Sequence, residues 1–372
     1  MLEWLTGHTE PKTEDTTPDI SNGSDTLERL SKISEDNTYD PETHFNWGEH
    51  ISPESTLMPP EMVTIFGTDF YNNLSEEQKI KLGRFELANF FSQTAFEEST
   101  IDRAMRPYMK EGFSDTHQKY FEHFFEEEEK HQYFFYRFSR DHVGKVYDFG
   151  NVDDIDIIDN KNILGFKKAR YEAFLYTLVA EKVADYYNVK MMNDDRLPPL
   201  LQHINKQHHI DESRHMSMGK LLAETLWLDI KEHEATKEHA DEMQENLEKF
   251  IQTCMLDYCN PEVFEDAGIT DLDGAMQAFL DSEERINFER TVCKNIVDFL
   301  YQKGIIKNPD PILDSKTLRE EIIRKKFEDF KRKKAAKKIA KFMKSTIKSK
   351  HTMVADKQKK ATSKRTRVSK SM

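Results

Sequence analysis

Between about residue 76 and residue 228 the apolar positions recur every three to four places, the period of an α-helix that buries one face. Four such stretches follow one another. The first opens on the N-cap signal Ser75-Glu76-Glu77 and runs through LGRFELANFFSQTAFEESTIDRAM to a stop at Arg106-Pro107. The second begins near Asp115 and carries YFEHFFEEEEKHQYFFYRF. After a loop of Asp, Asn and Gly, the third covers KKARYEAFLYTLVAEKVADYYNVKMM. The fourth starts near Pro198-Pro199 and contains QHHIDESRHMSMGKLLAETLW. Helices of this length with short connections predict an all-α four-helix bundle. Additional C-terminal helices are expected over about 234–258, 272–303 and 315–349, and no segment has the strand period.

Charge divides the chain further. The net charge of −14 over 372 residues hides a basic end: residues 311–372 hold 22 Lys and Arg against 6 Asp and Glu, so that 1–310 is strongly acidic. Residues 1–45, rich in Ser, Thr, Asp, Glu and Pro, have the composition of a disordered acidic segment. The expected organisation is therefore that segment, a helical domain over 46–310, and a lysine-rich helical or disordered tail over 311–372. Cys254, Cys259 and Cys293 fall in no C-x-x-C spacing, which argues against a disulfide framework or a thiolate metal site. No leader-like start and no run of roughly 18 apolar residues is present, so a cytoplasmic protein is expected.

The candidate chemistry lies on the four helices. The string Gln207–His215, QHHIDESRH, stacks His208, Glu212 and His215 on one helix face, and Glu212–His215 is an E-x-x-H. A second E-x-x-H, Glu128–His131, lies on the second helix. Two such motifs plus one inward glutamate from each of the other helices make a carboxylate-bridged di-iron or di-manganese bundle, because hard oxygen and imidazole ligands must reach two cations from opposite walls. On the third helix Glu181 sits amid Phe174, Thr177, Leu178 and Ala184. On the first, the stripe of Ile80, Leu87, Phe91, Thr94 and Met105 passes through Glu98, whereas Glu97 falls with Lys79 and Glu86 on the charged side. The register also exposes a repeat, Thr94-x3-Glu98-x3-Asp102 against Thr177-x3-Glu181-x3-Asp185. Asp102 and Asp185 are expected to accept hydrogen bonds from the distal nitrogens of His131 and His215. Phe121, Phe124, Phe125, Phe134 and Phe135 read first as bundle core and second as the lining of a closed pocket.

In the order Glu98, Glu128, His131, Glu181, His208, Glu212 and His215, the chain resembles the p-aminobenzoate N-oxygenase-like family of ferritin-like non-haem di-iron oxygenases. The match is most specific in H-x-x-x-E-x-x-H and covers about residues 76–230. The resemblance implies two iron ions held by those seven residues, dioxygen as co-substrate and N-oxygenation of an amine, most simply an arylamine. Glu128 and Glu212 would bridge or flank the irons, and Glu98 and Glu181 would cap them. No flavin, nicotinamide or cluster-binding fingerprint is present, so an external electron donor is expected. The substrate side holds a small-molecule amine or a carrier-bound substrate. A homodimer and an acidic partner for the basic tail are the other partner expectations. Two rival activities fit the same scaffold: acyl desaturation or hydroxylation, and iron oxidation of the ferritin or rubrerythrin kind.

Overall fold

The computed structural model describes residues 24–109, 112–150 and 162–338. The elements before the bundle are α1 (Ser24–Asp36), α2 (Pro41–His44) and α3 (Asp69–Asn72). The bundle itself is α4 (Glu76–Met105), α5 (Asp115–Phe138), α6 (Ile163–Met192) and α7 (Pro199–Glu232), followed by α8 (Ala240–Thr253), α9 (Pro261–Asp266), α10 (Leu272–Asp281), α11 (Glu283–Gln302) and a helix over 316–338. Among the described residues there is no strand.

Local chemistry sets the bundle boundaries close to those predicted. Ser75 and Gln78 form a reciprocal capping box: the Gln78 N–H donates to Ser75 Oγ at 3.2 Å, and the Ser75 N–H donates to Gln78 Oε1 at 3.1 Å. Pro107 closes α4 within a 3-10 turn. Asn162 caps α6 through the Gly165 N–H, and Pro199 occupies the first turn of α7, where its missing N–H costs nothing.

Helices α4 and α5 pack together, α6 and α7 pack together, and the two hairpins meet along α4–α6 and α5–α7. Gly219 makes the α6–α7 approach possible, since a Cβ there would stand 2.9 Å from Leu178 Cδ1. Phe90, Phe91, Phe124, Phe134, Phe135 and Phe138 are fully buried around the centre of the bundle. The phenylalanines of α5 are thus core, as their first reading held.

Both ends of the expected domain organisation need correction. Residues 24–45 are ordered, not a disordered segment: Leu27 and Leu30 are buried, and α1 packs on α5 and α7. The basic tail does not begin at 311 either. Ile312, Ile323 and Phe327 are buried, and buried Arg319 pairs with buried Glu289 of α11. Few apolar residues serve each contact, which is why composition concealed them. The region predicted as one helix over 272–303 is two, broken at Ser282, whose side chain accepts from the Arg285 N–H to start α11. The predicted helix over 315–349 is seen over 316–338, and its remainder lies outside the described residues.

Candidate metal centre

All seven residues singled out as metal ligands are buried, and the four long helices bring them to one place. α4 delivers Glu98, α5 delivers Glu128 and His131, α6 delivers Glu181, and α7 delivers His208, Glu212 and His215. Within this cluster Glu98, His131, His208 and Glu212 form one potential ion site and Glu128, Glu212 and His215 a second. Glu212 belongs to both. Its Oε1 lies 2.8 Å from His208 Nε2 and 3.6 Å from His131 Nδ1, while its Oε2 lies 3.6 Å from His215 Nδ1. Glu128 divides its oxygens likewise, with Oε1 2.9 Å from His215 Nδ1 and Oε2 3.9 Å from His131 Nδ1. The end glutamates each take one side: Glu98 Oε1 is 3.3 Å from His208 Nε2, and Glu181 Oε1 is 4.0 Å from His215 Nδ1.

The unpaired atoms test whether cations fit. Both oxygens of Glu98 and of Glu128, Glu181 Oε1, Glu212 Oε2, His131 Nδ1, His208 Nε2 and His215 Nδ1 are buried with no hydrogen-bond partner among the described residues. Leaving so many polar atoms unsatisfied would cost roughly 1–3 kcal/mol apiece. They are the atoms that face one another across the cluster, and converging lone pairs are what a pair of divalent ions requires. Protonation tells the same story. Burial drives Glu98 and Glu181 well above the usual carboxylate range. Against the opposing effect of burial, Glu212 and Glu98 push His208 up to about 10, and Glu212, Glu127 and Glu128 raise His215. The cluster calls for positive charge from protons or from cations.

The remaining ring nitrogens are held by residues that the sequence reading did not select. His131 Nε2 meets Asp211 Oδ2 at 3.2 Å, and His215 Nε2 meets Glu127 Oε2 at 2.9 Å. With these carboxylates accepting at Nε2, each ring turns its Nδ1 toward the cluster, where a cation would take the place of a proton. His208 is turned the other way, with Nε2 inward and Nδ1 2.7 Å from the Asn188 side-chain amide. A half-turn of that amide makes Oδ1, which is buried and otherwise unpaired among the described residues, the acceptor. Arg214 then lies between the two supporting acids, donating to Glu127 Oε1 at 2.5 Å and to Asp211 Oδ1 at 2.6 Å. Despite their burial, His131 and Arg214 hold Asp211 well below the ordinary range, and His215 and Arg214 lower Glu127.

Asp102 and Asp185 do not have the expected role. Asp102 accepts from Arg106 Nε at 2.9 Å, and Asp185 is engaged by Lys182 at 2.7 Å and by His209. Both stand on α4 and α6, but the distal nitrogens point away from those helices, into the α5–α7 seam. The signal was nonetheless in the string. Each E-x-x-H is preceded by an acid, Glu127 before one and Asp211 before the other, and each acid serves the opposite motif's histidine. The N-terminal segment completes the support: Tyr39 donates to Asp211 Oδ2 at 2.9 Å, and His44 meets Gln207, which donates to Asp211 Oδ1 at 3.1 Å.

Glu97 and Glu86, placed on the charged side by periodicity, are not surface charges. Glu97 is half-buried, accepts from Gln93 Nε2 at 2.8 Å, and is pushed up to about 7 by burial. Glu86 is buried beneath the segment that precedes α3, where it accepts from the Thr64 N–H and hydroxyl.

No curated protein matches the chain. The family model described as P-aminobenzoate N-oxygenase AurF matches residues 21–304, a span that takes in α1, the bundle and α11 as well as the motif helices. With the ferritin-like bundle and its buried glutamate–histidine cluster in place, that match makes the chain a member of the p-aminobenzoate N-oxygenase AurF family.

Proposed function

We propose that this chain is a di-iron oxygenase that N-oxygenates an amine, holding two iron ions on Glu98, Glu128, His131, Glu181, His208, Glu212 and His215. The observation that carries the reading is the division of the Glu128 and Glu212 oxygens between two groups of nitrogen ligands, which suits a pair of ions sharing two carboxylates. Bound iron would supply dioxygen activation. The chain's own contribution is to orient the rings through Asp211, Glu127 and Asn188, and to surround the centre with Phe124, Phe134 and Phe135, which keep bulk water out. Family membership supports iron over other first-row metals and amines over other substrates.

Reducing equivalents would come from an external donor. Among the described residues no helix is long and apolar enough to cross a membrane. A cytoplasmic location, a homodimer and an acidic partner for the basic tail remain part of the proposal, and most of that tail lies outside the described residues.

The test is metal analysis of protein made in iron-replete cells, followed by exposure of the reduced protein to dioxygen with and without an arylamine. Two irons per chain, and a hydroxylamine, nitroso or nitro product detected by mass spectrometry, are expected. A single zinc in folded protein would overturn the di-iron reading. Oxidation of acyl chains with arylamines untouched would move the assignment to the desaturase rival, and iron uptake without any organic product would move it to the iron-oxidase rival.

A further inference from the structure

The hydrogen bonds that orient the three cluster histidines lead to different places. Those of His208 and His215 rest on buried groups, Asn188 for the first and Glu127 with Arg214 for the second. That of His131 continues outward. Asp211 Oδ2 meets His131 Nε2 at 3.2 Å and accepts the Tyr39 hydroxyl at 2.9 Å, so a single oxygen atom joins a phenol to the imidazole.

Tyr39 belongs to the segment between α1 and α2 and is partly exposed, with its chain neighbours Thr38 and Asp40 exposed on either side. Lys130 Nζ lies 5.2 Å from the centre of its ring and donates to Thr38 Oγ1 at 3.0 Å. Thr38, Asp40 and Lys130 line a surface groove together with the exposed acids Glu42, Glu126 and Glu129. One side chain therefore spans from this groove to within one carboxylate of His131, which shares an ion site with Glu98, His208 and Glu212.

Such a link suits electrons. Iron that activates dioxygen has to be reduced again, and the donor stays outside the bundle. An electron tunnels with less loss along bonds and short hydrogen bonds than across the van der Waals gaps between packed side chains. The path Tyr39–Asp211–His131 is made of covalent bonds and two hydrogen bonds, whereas Phe134 beside His131 and Phe135 beside His208 offer packing contacts. Burial and the Asp211 charge hold the Tyr39 hydroxyl well above the usual phenol range, so it stays protonated and keeps donating.

We infer that Tyr39 is the electron-entry relay of the metal centre: a one-electron donor at the groove passes electrons through the phenol, Asp211 and His131 to the ions held by the cluster. On the di-iron reading, on which this rests, two such transfers convert two ferric ions to ferrous and oxidise two donor molecules by one electron each. Tyr39 keeps its hydrogen and acts as a bridge without itself being oxidised.

Anaerobic stopped-flow reduction of the iron-loaded ferric protein tests this, with reduced cobalt sepulchrate as a caged, cationic one-electron donor too bulky to enter the bundle. Loss of ferric absorbance gives the rate, and neither amine nor dioxygen is present. Tyr39→Phe keeps the ring and removes the hydroxyl; it should retain its iron and be reduced several-fold more slowly. Gln207→Met also takes one donor from Asp211 but leaves the phenol in place, so it should slow reduction much less. Unchanged reduction in Tyr39→Phe would overturn the relay. So would an equal slowing in Gln207→Met, because loosening of Asp211 would then account for both, and so would loss of iron from folded Tyr39→Phe, which would make the hydroxyl a clamp on the site. A parent protein that binds no iron fails the di-iron reading and the relay with it, whereas one that holds two irons and is reduced equally fast without the hydroxyl fails the relay alone.

Discussion

Asp211 on α7 engages His131 on α5 at 3.2 Å, and Glu127 on α5 engages His215 on α7 at 2.9 Å, so the two E-x-x-H motifs brace each other. Each acid stands one residue before a glutamate of the cluster, which couples the orientation of a carboxylate on one helix to that of an imidazole on its neighbour. Arg214, hydrogen-bonded to both acids, neutralises a pair that would otherwise repel.

The bracing predicts a graded effect on metal retention. Asp211→Ala and Glu127→Ala should each weaken iron binding by about 10–100-fold, measured by competition with a chelator, because the ring loses the acceptor that fixes its tautomer. Asp102→Ala, which removes only a partly exposed partner of Arg106, should leave affinity unchanged. Loss of iron in Asp102→Ala with retention in Asp211→Ala would reverse the assignment of supporting roles.

Adjacent residues on α4 have different roles, Glu98 in the cluster and Glu97 outside it. Glu98→Ala should cost one of the two irons, since Glu98 belongs to the group with His131, His208 and Glu212. Glu97→Ala should keep both, since Glu97 points about 100° away from its neighbour and accepts from Gln93 instead. Elemental analysis of the two variants decides between them, and normal iron in Glu98→Ala would mean the register of α4 is misassigned.

How much of this was readable beforehand follows from the physics of each feature. Buried acids at helical spacing violate the polar-outside rule, so Glu98 and Glu181 stood out against Phe91, Leu178 and their neighbours. Asp211 and Glu127 did not, because which acid meets a distal nitrogen depends on the rotation of two helices about their axes. Glu86 and Glu97 were hidden for a related reason. Periodicity finds the face toward the bundle centre, but α4 is covered on a second side by segments outside the repeat, residues 57–65 over Glu86 and α9 among them.

The buried contacts beyond residue 310 predict that the chain cannot be shortened there. Ending it at 310 removes buried Ile312, Ile323 and Phe327, each worth about 1.5–3 kcal/mol, and deprives Glu289 of Arg319, which also packs over the Phe279 ring at 4.1 Å. Thermal unfolding should show a large loss of stability or no folded product. Ending it at 338 keeps these contacts and should leave the melting temperature unchanged. An equally stable chain ending at 310 would show that the helix over 316–338 contributes nothing to the fold.

Glu86 gives the stability a pH dependence whose sign can be worked out. Burial pushes its carboxyl up to about 7 from an ordinary value of 4.5, even though the Thr64 N–H and hydroxyl donate to it and Arg285 favours its charge. The folded chain therefore binds this proton more tightly than the unfolded chain. Below about pH 4.5 both states are protonated and the group imposes no penalty. As pH rises to about 7 the unfolded state sheds the proton first, and stability falls by about 3 kcal/mol in total. Glu86→Gln cannot ionise, and its amide oxygen still accepts from Thr64. Relative to the parent at the same metal loading, this variant should gain melting temperature progressively between pH 5 and 8, by on the order of 5 °C at the upper end. The difference between the two curves isolates Glu86, because the metal ligands titrate in both proteins. A constant offset across that range would mean that the carboxyl is already ionised in the fold and that Thr64 and Arg285 outweigh its burial.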